Sequence, residues 1–366
     1  MKIVIRAGGV GTRLWPWSRK DRPKQFLPLF RGQSSVQIAW DRFSDSELGE
    51  ADDIFVSVGK ESLDLVLEQL PDLPRQQIIV EPARRDTAAA IGLETVWVTR
   101  RCGRSIIASL GSDHYVGKPQ VFIDALAAAE EFIRENPEYL VTIACQPTRV
   151  EPNYGHVKMG EQLWDSDGVE VFRVAEFTEK PEYRTAKQYT DSGRYLWNAN
   201  FFVWDSQTLM RCFHECEPEM YDSLIELQEA LRERDSREAV RAVYPGMKKI
   251  AVDYAVLEPA AREGKMAVVP VAMEWSDIGS WATLTDALEA DEEGNLFMGP
   301  VLAEETEDTT VFVDNPDRRV VAAIGVEGLA IVDTGDALLV VPKDQCGKVK
   351  RLVQRMRESE EWSDLV

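Results

Sequence analysis

Two hydrophobic periods alternate along most of this chain, and that alternation narrows its fold more than any other feature. Runs with strand period stand at Ile3-Val4-Ile5, "DIFVSV" (53–58), "QIIVEP" (77–82), "SIIASLGSDH" (105–114) and "YLVTIAC" (139–145). Between them lie helical stretches such as "DTAAAIGLETVWVTRRCG" (86–103), "VFIDALAAAEEFIREN" (121–136) and the shorter "EYRTAKQYTDSG" (182–193). Strands and helices taking turns predict an α/β fold, a sheet flanked by helices. Asp86 or Thr87 is expected to cap the first of these helices, and Gly103 and Gly193 to lie just past helix ends. Near "DEEGN" (291–295) the pattern changes to closely spaced β-rich runs, "TTVFVD", "RVVAAIG", "LAIVDT" and "ALLVVP", ending in the amphipathic "GKVKRLVQRMRE" (347–358). A length of 366 residues exceeds what one core usually organises. The expected division is therefore an α/β domain over 1–290 and a β-rich, solenoid-like domain over 295–366.

Charge and cysteine usage remove several function classes. A net charge of −21 disfavours nucleic acid and anionic membrane as partners. No apolar stretch is long enough for a membrane span, and the N-terminus lacks a signal-peptide pattern, so a cytoplasmic location is expected. Five scattered cysteines fit a reducing compartment. In "CFHEC", a helix places Cys212 and Cys216 on one face and His214 away from it, which argues against a metal site.

The opening segment contradicts the average charge. Residues 1–31 carry Lys2, Arg6, Arg13, Arg19, Lys20, Arg22, Lys24 and Arg31 against Asp21 alone, a local +7. Glycines sit among them in "AGGVGTRLWPWSRKDRPKQFLPL" (7–29). The dinucleotide motif G-x-G-x-x-G fails because Leu14 stands where its third glycine belongs, and the P-loop fails for want of Gly-Lys-Ser/Thr. What remains is a strand, a Gly-Gly-x-Gly loop, Arg13, and Lys24 eleven residues later. Glycines admit close backbone approach to phosphate, and two cations then neutralise charge spread over several phosphates, so a nucleoside polyphosphate is the expected ligand.

These residues resemble the sugar-1-phosphate nucleotidyltransferases, in particular the mannose-1-phosphate guanylyltransferases. Further matching strings follow in order: "EPARRDTAAAI" (81–91), "SDH" (112–114), "PTRVEPNYGHV" (147–157), "EFTEKP" (176–181), "YLWNANFF" (195–202), "VDYAVLE" (252–258) and "WSDIGSW" (275–281). The resemblance implies a Rossmann-like catalytic domain with a mixed, mostly parallel sheet, and a left-handed β-helix-like tail. It implies transfer of GMP from GTP to mannose 1-phosphate with release of pyrophosphate. Arg13 and Lys24 would be catalytic, and Ala7, Gly8, Gly9, Gly11, Thr12, Glu81 and Asp113 would join them in binding nucleotide. Glu81 is the candidate acceptor for the guanine N–H groups. Gly155, Glu179, Lys180 and Asn198 would hold the sugar phosphate, and Asp113 and Asp277 would hold Mg²⁺, a hard cation suited to carboxylates and phosphates. His114 is expected to orient its neighbour, and the tryptophans within the motifs to act as structural walls.

Four residues depart from the family pattern. Arg6 replaces an apolar residue, Asp86 replaces an Asn, Ala89 stands where Pro is common, and Asn200 stands where Gly is usual. A strand-end Arg6 either adds a phosphate contact or snorkels outward. These departures bear mainly on sugar choice. Alternatives are therefore another hexose 1-phosphate or nucleotide, or a silent relative that binds nucleotide-sugar and regulates a partner. An added isomerase activity would need histidine ligands, and all three histidines precede residue 295. The tail is expected either to cap the catalytic domain or to pair subunits, with a homodimer as the hypothesis.

Overall fold

In a computed structural model, residues 1–366 are described apart from 10, 31, 167, 234–235, 289 and 315–318. Val10 of the glycine loop and Arg31 of the basic segment thus lie outside the described residues. The strands in chain order are β1 (Lys2–Arg6), β2 (Ile54–Gly59), β3 (Ile78–Glu81), β4 (Ile106–Gly111), β5 (Tyr115–Val116), β6 (Leu140–Cys145), β7 (His156–Ser166), β8 (Val169–Thr178), β9 (Tyr195–Asp205), β10 (Met266–Val271) and β11 (Trp275–Ser276). β12 (Leu296–Met298), β13 (Val301–Glu304), β14 (Thr310–Val313), β15 (Val321–Ile324), β16 (Leu329–Asp333) and β17 (Leu338–Pro342) follow. The helices are α1 (Ser35–Ser44), α2 (Leu63–Gln69), α3 (Asp86–Cys102), α4 (Pro119–Glu135), α5 (Tyr183–Ser192), α6 (Ser206–Cys216), α7 (Pro218–Glu233), α8 (Ser236–Val243), α9 (Glu258–Arg262) and α10 (Val349–Arg357).

Two compact units result: Met1–Ala7 with Ala39–Ser112 and Lys118–Trp275, and Gly8–Ile38 with Asp113–Gly117 and Ser276–Val366. The first holds a nine-stranded mixed sheet ordered β3-β2-β1-β4-β9-β6-β10-β8-β7. Its β3-β2-β1-β4 flank is wholly parallel, whereas β9 runs antiparallel to both β4 and β6. The core combines sheet residues such as Val4, Phe202 and Trp204 with Leu93 of α3, Phe213 of α6 and Leu224 of α7. Burial of each large apolar side chain here contributes roughly 1.5–3 kcal/mol.

Helix α3 corrects one expectation. Asp86 has φ 67°, outside helical geometry, and its Oδ1 accepts from the adjacent Thr87 amide only. The Thr87 hydroxyl accepts from the Val252 amide instead of capping its own helix. Gly103 ends the helix at φ 75°, where a side chain would strain the backbone.

The second unit is β-helix-like. β12, β14 and β16 stack in parallel, β17 closes that sheet antiparallel to β16, and β13 pairs in parallel with β15. Its core includes a contribution from the start of the chain: Leu14, Trp15, Trp17, Leu27 and Leu29 pack with Trp281, Phe312, Val332, Val349 and Met356. The Trp17 and Phe312 rings lie 4.1 Å apart, and the Trp281 indole N–H donates to the Trp15 carbonyl at 2.9 Å. Trp15, Trp17 and Trp281 are structural, as expected of such walls. Part of the basic run is structural as well. Arg19 forks onto Asp336 at 2.7 and 2.6 Å, and Arg22 Nη1 meets Asp314 at 3.0 Å.

Candidate active site

The glycine loop must lie flat because of what it touches. Gly9 has φ 116° and Gly11 has φ 61°, a range that disfavours side chains. A Cβ on Gly11 would sit 2.7 Å from the Lys24 Cβ, and one on Gly9 would sit 2.9 Å from Gln25 Nε2. Gln25, fully buried, donates from that nitrogen to the Gly8 carbonyl at 2.5 Å and so holds the loop against the Lys24 segment. Thr12 and Arg13 open a single 3-10 turn, Thr12–Leu14.

Lys24 links Asp113 to the backbone of Asp277. Its Nζ lies 2.7 Å from Asp113 Oδ2 and donates to the Asp277 carbonyl at 3.4 Å. Burial would raise the Asp113 pKa, but the charges of Lys24 and His114 outweigh it and hold the carboxyl down at about 2. His114 Nε2 stands 3.5 Å from Asp113 Oδ1, in keeping with an orienting role. Asp277 Oδ1 accepts from the Gly279 amide at 2.9 Å. A Cβ on Gly279 would fall 2.4 Å from Asp277 Oδ2 and 3.0 Å from Arg13 Nη2, so Arg13 and Asp277 flank the same glycine. Arg13, Lys24, Asp113 and Asp277 thus form one cluster. Among the described residues no group of three or more His, Cys, Asp or Glu could hold a metal. Two carboxylates with phosphate and water oxygens are nonetheless a donor set that suits Mg²⁺.

A second cluster lies in the sheet unit. A Cβ on Gly155 would stand 2.7 Å from Glu179 Oε2 and 3.1 Å from the Asn198 Cβ, so only glycine lets these two side chains approach. The Asn198 amide donates to the Gly155 carbonyl at 2.9 Å, and Lys180 pairs with Glu179. Gly155, Glu179, Lys180 and Asn198 therefore come together from the start of β7, from β9 and from the turn after β8. Beside them, Tyr154 packs edge-on against both Trp197 and Trp275, at 5.2 Å each. Asp253, in the π-helical turn Asp253–Leu257, belongs here too. Burial and the neighbouring Glu179 raise its pKa, opposed by Lys180 and Arg6. Its role was not assigned from sequence, although it stands inside the matching string "VDYAVLE". Irregular helical turns of this kind recur at functional sites.

Arg6 does not snorkel outward. It is 8% exposed, and its Nη1 donates to Ser109 Oγ at 2.7 Å. Nη2 donates to the Asn200 carbonyl and Oδ1 at 2.7 and 2.9 Å. Asn200 has φ 58° at a bulge in β9, where the pairing jumps from Ile143↔Phe201 to Ala144↔Asn198. After glycine, Asn is the residue that best tolerates this conformation, which accounts for the position. Two of the departures from the family pattern are therefore hydrogen-bonded to each other. The Asn200 amide in turn donates to Asn198 Oδ1 at 3.2 Å, and the Thr142 hydroxyl donates to the same oxygen at 2.7 Å. These two bonds orient the Asn198 amide, leaving its nitrogen toward Gly155.

Carboxylates draw Arg6 inward. Glu94 on α3 is 1% exposed and accepts from Ser109 Oγ at 2.6 Å; burial raises its pKa to about 7 against the pull of Arg6. Glu81, at the end of β3, is raised in the same direction by burial, and its Oε2 accepts from the Tyr244 hydroxyl at 2.5 Å. One Glu81 oxygen is thus already occupied. Ala7 is buried beside these strands, its amide donating to the Ser57 carbonyl at 2.8 Å. Arg85 anchors to the Pro245 carbonyl, so it is a structural tie.

Comparison with known proteins adds the following. Residues 2–294 match the nucleotidyl transferase family, and residues 302–356 match the mannose-phosphate isomerase/GMP-like β-helix domain. The chain is 35% identical over 363 residues to a mannose-1-phosphate guanylyltransferase of Klebsiella pneumoniae, covering 98% of this chain and 74% of that protein. It is 32% identical to the xanthan biosynthesis protein XanB of Xanthomonas campestris, over 97% of this chain and 73% of that one. Among solved structures, a Thermus thermophilus protein described as a mannose-1-phosphate geranyltransferase superposes with a TM-score of 0.84 at 32% identity, covering 97% of this chain and 99% of that one. No helix among the described residues is long and apolar enough to cross a membrane.

Proposed function

This chain belongs to the mannose-1-phosphate guanylyltransferase family of sugar-1-phosphate nucleotidyltransferases, and on that premise we propose that it transfers GMP from GTP to mannose 1-phosphate. The reading rests above all on the cluster of Arg13, Lys24, Asp113 and Asp277 beside a loop whose Gly9 and Gly11 admit no side chain. A phosphate oxygen of the sugar attacks the α-phosphorus of GTP in line; the bond to the bridging oxygen breaks and pyrophosphate leaves with that electron pair. A phosphate monoester has a second pKa of about 6, so the nucleophile is already ionised and no general base is needed. The protein's contribution is orientation and stabilisation of charge on the leaving group.

Each cluster has its share of that work. Backbone N–H groups of Gly8, Gly9, Gly11 and Thr12, following Ala7, bind phosphate oxygens, and Arg13 and Lys24 neutralise the departing pyrophosphate. Asp113 and Asp277 would hold Mg²⁺, which supplies further neutralisation of phosphate charge when bound. Lys180 binds the sugar phosphate, while Glu179, Asn198 and the backbone of Gly155 bind hydroxyls. Glu81 is the acceptor assigned to guanine. The catalytic domain spans 1–290, and 295–366 forms the tail.

Pyrophosphate release measured with Mg²⁺, across four nucleoside triphosphates and three sugar 1-phosphates, tests this. GTP with mannose 1-phosphate should give the fastest release. A different preferred pair would overturn the base or sugar assignment. Silence with every pair, from protein that still binds nucleotide, would favour the regulatory relative.

The tail supports a homodimer. Leu302 on β13 and Ile324 on β15 are 65% and 67% exposed, and Leu338 and Val340 face outward on the edge strand β17. Apolar side chains along exposed strand edges invite pairing with a second copy. Light scattering should return twice the chain mass at micromolar concentration; a monomer throughout that range would remove the proposal.

A further inference from the structure

We propose that a cavity against the edge strand β3 is a second binding site, for a nucleoside phosphate. The cavity measures about 260 Å³ and is lined by Lys60, Arg75, Arg100, Arg101, Arg237 and Arg241, with no carboxylate among its described lining residues. Such a ring of cations stands out in a chain of net charge −21. Helix geometry explains how it forms. Trp97, Arg100 and Arg101 share one face of α3, and Arg237, Val240 and Arg241 share one face of α8. Ile78 and Val80, two apart on β3, present their side chains to the same side and form the floor with Leu63 and Leu67.

Helix stability alone does not account for these charges. Arg100, Arg101 and Arg241 stand in last turns, where the helix dipole favours a cation. Lys60 and Arg75 lie outside both helices, where no helix dipole favours them. Like charges gathered around an apolar floor favour an anion in the cavity. Guanidinium forks suit phosphate oxygens in particular.

The floor narrows the ligand class. Inorganic phosphate or a bare sugar phosphate would leave Leu63, Ile78, Val80 and Val240 in water. A purine or pyrimidine would cover them and lie against Trp97, whose indole N–H donates to the Gln76 carbonyl at 3.3 Å and is thereby held in place. The occupant that uses both floor and rim is an aromatic base carrying phosphates.

The test is equilibrium dialysis of the full chain against labelled GDP, with Arg100→Glu/Arg101→Glu and Lys60→Ala/Arg241→Ala as variants. All four positions are exposed and lie outside the glycine-loop and sugar clusters. Wild type should bind two GDP per chain. Each variant should bind one at the same concentration, its second affinity lowered at least about tenfold, with kcat for nucleotidyl transfer unchanged. Lys24→Ala, which weakens the glycine-loop site, should keep the GDP of the cavity. One GDP per chain in wild type, or two in both variants, would overturn the site. Displacement of the second GDP by inorganic pyrophosphate at equal concentration would overturn the nucleoside assignment, since the floor would then contribute nothing.

Discussion

Asp113→Ala lowers pyrophosphate release by about a thousandfold or more, and added Mg²⁺ does not restore it. The expectation follows from the company Asp113 keeps. Its pKa of about 2 means that the carboxyl is ionised at every working pH, even though burial alone would push it the other way. What resists burial is Lys24 at 2.7 Å and His114 at 3.5 Å. Removing the carboxylate subtracts a proposed metal ligand and also leaves Lys24 without the partner that sets its position between the glycine loop and Asp277. Raising Mg²⁺ repairs neither loss. Asp113→Asn, which keeps the shape, should lose nearly as much activity as Asp113→Ala. Initial rates over a Mg²⁺ series check this, and near-normal turnover at any concentration would mean that the metal is held elsewhere.

Arg6→Leu restores the apolar residue usual in the family and destabilises this protein by about 3–5 kcal/mol, because it leaves buried carboxyl groups without their counter-charge. The double variant Arg6→Leu/Glu94→Leu should recover most of that loss, which is the signature of energetic coupling between the two through Ser109. The effect also depends on pH in a defined direction. Glu94 has its folded pKa raised to about 7 from 4.5. Its contribution to stability is fully present below the unfolded value and is lost as pH rises through the folded one. Without Arg6 the folded value rises further, so the deficit of Arg6→Leu should be larger at pH 8 than at pH 5.5. Urea unfolding of both variants at the two pH values measures it. Equal deficits at both would show that Glu94 is not the group Arg6 serves.

These two residues mark the limit of what the primary structure discloses. Gly9 and Gly11 stood out as glycines of a close-approach loop, and what they approach in the structure is the Lys24–Gln25 segment, where a side chain has no room. Lys24 and Asp113 stood out through short strings that resemble the family's, and the structure brings the two side chains together. The alternation of periods likewise foretold the sheet and the β-rich tail. Arg6 read as either a phosphate contact or an outward-reaching charge because its partners are remote. Asn200 lies 194 residues away, and Glu94 reaches it through Ser109. Nothing local in "IVIRAGG" signals that a bulge in β9 and a buried acid on α3 will meet it. The basic run misled in a related way. Arg19 and Arg22 share the sign of Lys24, yet they answer to Asp336 and Asp314 in the tail. Asp253 stayed hidden because its significance comes from burial beside Glu179.

The shared core of the glycine loop and the tail also has a meaning in time. Synthesis runs from N to C, so residues 8–38 leave the ribosome well before residues 276–366. Their packing partners come much later: Trp15 donates to the carbonyl of Leu365, 350 residues on, and Trp17 rests on Phe312. The nine-stranded sheet has all its strands once Val271 has emerged. The glycine-loop segment must wait for α10 before its packing is complete. A growing chain therefore carries its glycine loop without these packing partners until the strands and helix of residues 276–366 have been made.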